Sequence, residues 1–503
     1  MSKESQNEIR KPSVSREAGK AAPTDAADSG QRPVRRSGTT STTGRPRSSN
    51  GNRQPARKPQ KSHGMELAMA MILGALVLAI AIVFIATSST QPNDNKNAQV
   101  TQPAQALNPL TPRNGLTANA MITQLAQAGD LTTPVPLPPT PTGAPVNSDA
   151  DQKGASWPMT GGNAARTHFS NAQLNLPLKK LWDNQVGGEL ASSPAIANGL
   201  AFFGSSNGSF YAIDLTSGQI KWSRKYGAIA SSPAVAGNTV YFGTTTGFVY
   251  ALDTATGQER WNPFPTIEQV ISSPVVENGV VYIGSNLGVF WAIDANTGQK
   301  RWSSQIGNAN GAGINTSPAL ANGLVYFGAN NGYLYANDAG NGNLKWKVQI
   351  DDGKGILSSP AVADGILYLG TESGKLLALN ASTGAQMWEA NLEAPTRSSP
   401  AVANGLVYIG GSSKKVYAFD AKTGAKKWDF TTGDVVASAP TIAGNTLLIG
   451  SSDTKLYALD ALSGAKKWDF STDDIISSSP AVADGKVYLT SFDGRIYAFG
   501  PGQ

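Results

Sequence analysis

Residues Ser398–Trp428 read SSPAVANGLVYIGGSSKKVYAFDAKTGAKKW. The core of this stretch recurs eight times, with its proline at Pro194, Pro233, Pro274, Pro318, Pro360, Pro400, Pro440 and Pro480. The intervals are 39, 41, 44, 42, 40, 40 and 40 residues, a period that belongs to propellers and solenoid arrays. Each copy reads as four strands. Ser-Ser-Pro-Ala-Val-Ala forms a short first strand, and Asn404-Gly405 is a two-residue hairpin signal that needs positive φ. Leu406 to Ile409 forms the second strand and Val416 to Phe419 the third. A turn from Asp420 to Gly424 then leads to a fourth strand ending on Trp428. The first turn is Asn-Gly or Asp-Gly in six copies and Gly-Asn in two, at Gly237 and Gly444.

A second signature is stricter. Asp214, Asp253, Asp294, Asp338, Asn380, Asp420 and Asp460 are each followed four residues later by Gly and eight residues later by Trp. A carboxylate or amide at that point accepts backbone N–H bonds from the turn it opens, and the Gly takes the left-handed position. The Trp is expected to bury its ring against the adjoining blade with its N–H satisfied. A residue that recurs once per repeat is explained by the fold, so these Asp residues are not read as catalytic. The eighth copy stops without a fourth strand, with Gly500 where Asp is expected. An unmatched strand-like segment, KKLWDNQV around Trp182, precedes the first copy. It is expected to complete the last blade beside Arg495 to Phe499, closing the ring and removing open edges. The fold class is therefore all-β: an eight-bladed β-propeller of four-stranded antiparallel blades over residues 157–503, expected to be monomeric.

Residues 1–64 carry 14 Lys/Arg and 5 Asp/Glu, a surplus of +9, whereas the remainder of the chain is slightly acidic. The basic balance thus belongs to the tail and not to the repeats. That tail has almost no large apolar residues and is expected to be disordered. Its arginines are not interleaved with stacking aromatics, so no specific nucleic-acid partner is expected. Leu67 to Ala86 is a 20-residue apolar run. A helix of about 20 residues spans a ~30 Å hydrocarbon core. Residues 65–87 are read as one retained transmembrane helix in preference to a cleaved leader, because the run exceeds an ordinary signal core and follows a 64-residue basic segment. The positive flank puts the N-terminus in the cytoplasm and the propeller periplasmic or extracellular. Residues 88–156 form a Pro-, Thr- and Gln-rich linker, with a short helix expected over 117–128 and a polyproline stalk after it.

There are no cysteines, so disulfides and thiolate chemistry are excluded. The only histidines are His63 and His168, too few for a His-based triad or multi-His metal site outside the cytoplasm. None of the Gly-rich turns opens a helix after a strand, so none is a phosphate loop. Recognition is sought instead on the face that varies between copies. Strand alternation puts the Asn-Gly and Asp-to-Gly turns on one face. The turns between second and third strands share the other with the loops between blades. The loops carry Glu189, Glu268, Asp351, Asp352, Glu393, Asp434, Asp473 and Asp474, with Lys354 and Arg397 among few cations. The longest runs from Gly307 to Asn315. On the same face the turns offer Phe248, Leu287 and Tyr333 in one half and Lys375, Lys414, Lys415, Lys455 and Arg495 in the other. A partly acidic rim with an apolar arc suits a protein loop or strand, or a glycan.

The Asp420-Ala-Lys-Thr-Gly-Ala-Lys-Lys-Trp428 turn resembles the pyrroloquinoline-quinone-like (PQQ-like) β-propeller repeat with its tryptophan-docking motif, and WPMTGGNAARTHFS from Trp157 is similar to the entry of such domains. The resemblance covers 157–503 and implies the fold. It implies either of two functions: a non-enzymatic scaffold similar to BamB, working with other envelope or membrane proteins and needing no cofactor, or a dehydrogenase using PQQ with Ca²⁺. Quinoproteins typically hold the quinone with a vicinal disulfide and place catalytic residues in long insertions; this chain has neither cysteines nor long insertions. BamB-like proteins are usually lipidated at a Cys, whereas this chain carries an apolar segment. A BamB-like scaffold is the function expected, with a dehydrogenase and a ligand- or glycan-sensing module as alternatives.

Overall fold

The computed structural model describes residues 156–306, 312–350 and 354–501. The tail, the membrane helix, the helix over 117–128, and all of the linker but Ser156 lie outside the described residues, as do Asp351, Asp352 and residues 307–311 of the longest loop. The described chain forms eight blades of four antiparallel strands in the repeating order expected, one of them extended by a short fifth strand, and the closing blade pairs Leu178–Gln185 with Arg495–Pro501. Trp182 lies opposite Ala498, as the fourth-strand Trp does in other blades, for example Trp428 opposite Ala418. The second and third strands of each blade are almost wholly buried. The fourth strands lie outermost, and Lys-rich ones such as Lys426–Thr431 present charges along an edge that would otherwise invite pairing.

Three contacts, each repeated around the ring, hold blade to blade. The first is the tryptophan dock. Trp182, Trp222, Trp261, Trp302, Trp346, Trp388 and Trp428 donate their indole N–H to the carbonyl of the residue after the turn-opening Asp or Asn of the next blade, at 2.9–3.1 Å. The Gly of that turn lies against the same indole: a Cβ on Gly424 would sit 2.6 Å from the Trp388 ring. Only Gly satisfies both this approach and the turn's φ of +71°. The second contact is a relay of serines. The amide of Ser193 donates to Ser232 Oγ, Ser232 to Ser273, Ser273 to Ser317, Ser317 to Ser359 and Ser359 to Ser399, all at 2.9–3.0 Å. It is interrupted at Ala439, whose own amide donates to Ser479, and the ring closes from Ser479 to Ser193. The third is steric: the Gly ending the second strand in the first seven blades, such as Gly410, leaves room for a side chain of the next loop, here Val436, where a Cβ would collide.

The entry segment fills the axis. Trp157 pairs with Ile196 of the first blade and Met159 with Ala234 of the second, both antiparallel. The carbonyls of Ala164, Ala165, Thr167 and His168 then accept the amides of Leu320, Val362, Val402 and Ile442, in the fourth to seventh blades. Phe169–Ser170 finally lies parallel to Ile442 and Ala443. One strand-like segment thus satisfies the inward edge of six innermost strands, groups that would be costly to leave unpaired.

The two uses of glycine separate in a mutational comparison. Gly405 has φ +73° and nothing within 4 Å of an added Cβ. Gly405→Ala is expected to cost about 1–2 kcal/mol from backbone conformation. Gly424→Ala adds overpacking against Trp388 and is expected to cost about 2–4 kcal/mol in urea unfolding. Equal costs would contradict the docking role.

Candidate recognition face

Most sequence-selected residues meet partners on the varying face. Lys414 pairs with Asp434 at 3.1 Å, Lys415 with Glu393 at 2.9 Å and Arg397 with Glu372 at 3.3 Å, linking turns to loops in the fifth to seventh blades. Lys375, Lys455 and Arg495 reach outward to Glu389, Asp469 and Asp183 of their own blades' outermost strands. The Asp434 carboxyl is held below the usual range by Lys414 and by the Val435 amide. The Asp473 amide donates to Asp493, and the Asp474 carboxylate accepts the Ile475 amide at 2.7 Å. Glu189 and Glu268 are exposed. The rim is therefore a mosaic of paired charges, each exposed pair worth about 0–1 kcal/mol. Phe248, Leu287 and Tyr333 are half-buried: each packs into the hydrophobic core, and Lys347 sits over the Tyr333 ring at 5.2 Å.

Backbone conformation distinguishes the two faces more sharply than charge does. On the Asn-Gly face, the non-Gly residues with φ near +50° are Asn198, Asn278, Asn322, Asp364, Asn404 and Asp484, residue types that tolerate it. On the varying face, the turn before the third strand uses Gly at positive φ in six blades, including Gly208 and Gly374, but Lys414 at +63° and Thr454 at +71° in the other two. Two residues beyond the outermost strand, Gly187 and Gly227 hold positive φ in two loops, whereas Ile267 at +75° and Glu393 at +65° hold it in two others. Ile267 is also 38% exposed. Each such residue costs about 1–2 kcal/mol relative to an unstrained backbone. Ile267 and Thr454 escaped sequence reading, although alignment of the copies against Gly carries the signal. Phe492, half-buried in the eighth blade's turn, was also missed.

A further missed feature lies at the axis. Arg166 is fully buried and donates to the carbonyls of Pro318, Thr160 and Ser273 at 2.5, 2.8 and 2.9 Å. Burial lowers its pKa to about 9. His168 is lowered to about 3 by burial and then by Arg166, so it stays neutral at physiological pH. Because Arg166 and His168 occur in a single segment and not in the repeat, periodicity gives no hint of either. Calcium with a quinone would require several oxygen ligands including carboxylates. Among the described residues no group of three or more His, Asp or Glu side chains could hold a metal. The position preceding each Ser pair supplies Ala191, Ala230, Ile271, Asn315, Leu357, Arg397, Ala437 and Ser477, a single charge among them. The described donor set does not fit that group.

If the strained residues serve recognition, the fold does not need them. Ile267→Gly, Lys414→Gly and Thr454→Gly are each expected to change stability by between zero and about +1 kcal/mol, relief of strain offsetting the entropy of Gly. Losses above about 1 kcal/mol in urea unfolding would make these side chains structural.

Among solved structures, the described ring is similar to BamB from Moraxella catarrhalis, with 22% identity, a TM-score of 0.57, and 64% of this chain and 99% of that one covered. It is similar to a europium-containing methanol dehydrogenase at 15% identity and a TM-score of 0.62, covering 70% and 99% of the two chains. A quinohemoprotein alcohol dehydrogenase from Pseudomonas putida HK5 matches at 17% identity and a TM-score of 0.62, covering 73% and 83%. These likenesses establish the fold, which BamB and the dehydrogenases share. Curated protein sequences give no match. The family model described as outer membrane protein assembly factor BamB matches residues 179–348 and 331–502, nearly the whole ring. The chain belongs to the BamB family of propellers.

Proposed function

We propose that this protein is a non-enzymatic interaction scaffold, anchored in the cytoplasmic membrane by residues 65–87 and presenting its propeller outside the cytoplasm to another envelope or membrane protein. The observation that carries the reading is the retention of strained Ile267, Glu393, Lys414 and Thr454 on one face, at positions that other blades fill with Gly. Strain kept where the fold has a cheaper solution points to a use for the side chain. Membership of a family described by an assembly factor supports the same direction. The charge mosaic suits a protein partner, since paired charges contribute orientation and discrimination more than affinity.

A quinone-dependent dehydrogenase is the second reading, favoured by the similarity to two alcohol-oxidising enzymes. The two readings predict different experiments. With photo-reactive residues in place of Ser412 or Glu268 on the varying face and Lys422 on the other, irradiation of intact cells is expected to capture a protein through the first two positions only. Capture through none of them, together with saturable dye reduction by the purified protein given PQQ, Ca²⁺ and an alcohol or sugar, would replace the scaffold with the enzyme.

A further inference from the structure

The repeat is broken most heavily at one place, where the second blade meets the third on the varying face. The outermost strand of the second blade, Phe264–Pro265, has two residues where the other blades have six or eight. Pro263 and Pro265 supply no N–H with which to extend its pairing to Phe248 and Val249. The loop after it is pinned at both ends. The Thr266 amide donates to the Gly247 carbonyl at 2.9 Å, and the Gln269 carbonyl accepts the Asn286 amide of the third blade's turn at 2.9 Å. Ile267 stands between these anchors, exposed and at positive φ, a conformation that a β-branched residue rarely adopts. The third blade departs from the pattern at the same spot. In five blades the corresponding turn residue bonds a third-strand tyrosine, as Asn331 does Tyr335 at 2.9 Å and Asp493 does Tyr497 at 2.6 Å. Leu287 and Trp291 replace that pair, and the Trp291 N–H is buried without a hydrogen-bond partner among the described residues. Phe264 packs edge-on against the Trp291 ring at 5.2 Å. Polar closure has thus been exchanged for apolar surface by both blades at once, and Phe264, Pro265 and Leu287 are left half-buried beside Ile267.

We infer that this junction is the contact point for the partner, and that it takes a large apolar side chain of a protein segment with a Lys or Arg beside it. The inference deepens the scaffold reading above and rests on it. Apolar and aromatic side chains meeting at a rigid junction are the usual seat of binding energy at a protein interface. Charge identifies the neighbour of the inserted side chain. Glu268 follows Ile267, is exposed and makes no ion pair among the described residues. Between Gly227 and Gln299 the one cation is Arg260, which pairs with Asp253 on the Asn-Gly face. The carboxylates of the fifth to seventh blades differ in this respect, since Glu372, Glu393 and Asp434 each have a basic partner within the ring. The positive charge that Glu268 lacks at home is left for the incoming segment to supply.

A random dodecapeptide phage library, selected on the full-length protein in detergent, tests this, with the affinity of enriched peptides measured by fluorescence anisotropy. Enriched sequences are expected to carry Leu, Ile, Phe or Trp next to Lys or Arg. Ile267→Gly, compared with the parent at a matched urea midpoint, is expected to weaken their binding about tenfold or more, and Glu268→Gln about two- to fivefold. Selection on Glu268→Lys is expected to favour an acidic neighbour instead, a reversal that loss of folding does not produce. Lys422→Ala on the opposite face is expected to leave binding unchanged. No enrichment, enrichment without the apolar residue and its cation, or binding that survives Ile267→Gly overturns the site. Peptides whose binding depends on Arg397 or Lys414 in place of Ile267 move the contact to another part of the face and leave the scaffold reading standing. That reading falls separately, on saturable dye reduction with PQQ and Ca²⁺ and no protein captured in cells.

Discussion

Seven times around the ring an indole of one blade donates its N–H to the turn of the next, and the glycine of that turn lies flat against the ring. This contact gives the repeat its length and its strictness. A blade alone has an open apolar face; stacked against the next, it buries that face and fixes the angle between them. A Trp burying roughly 200 Å² contributes on the order of 5 kcal/mol as an upper estimate. The seam is the exception. Trp468 meets no following turn, because the chain has Gly500 where an Asp would stand, and packs against Phe470 and Phe499 instead. Continuity there is supplied by the N-terminal strand and by Trp182, which docks on the first blade as the others do on theirs.

Much of this was legible in the residues. Asp-to-Gly-to-Trp spacing at four and eight residues gives the turn and its dock, and Gly500 with the unmatched Trp182 gives the closure. What sequence reading lost had specific physical causes. Ser193 and its equivalents look like the start of a strand, because a bond between residues some 40 apart leaves no local trace. Trp157 to Ser170 has no second copy, so its passage through the channel, with Arg166 and His168 buried along it, has no periodic signature. Sequence alone gives a partly acidic rim without its pairings, because Glu393 and Lys415 are 22 residues apart in sequence and meet only when turn and loop share a face.

The two faces follow from the same constraint. Turns on the Asn-Gly side take part in blade docking, so their residues are dictated by φ and by the neighbouring indole. Turns and loops on the other side follow the end of the docked strands and are released from that demand, which is why Lys, Thr, Ile and Glu stand there where Gly would suffice. A stiff repeat with one unconstrained face is a platform on which loops can diverge without loss of fold. The entry segment then links the hub of that platform to whatever precedes it.

The account stands on closure of the ring by the N-terminal strand. Native-state hydrogen exchange tests it at the amides of Ile496, Tyr497 and Ala498, compared with Val416, Tyr417 and Ala418 in the sixth blade, which occupy the same strand position. A closed ring predicts equal protection at the two sets, both exchanging through global unfolding. Exchange at 496–498 faster by about a hundredfold or more would mean that the seam opens by itself and would contradict closure.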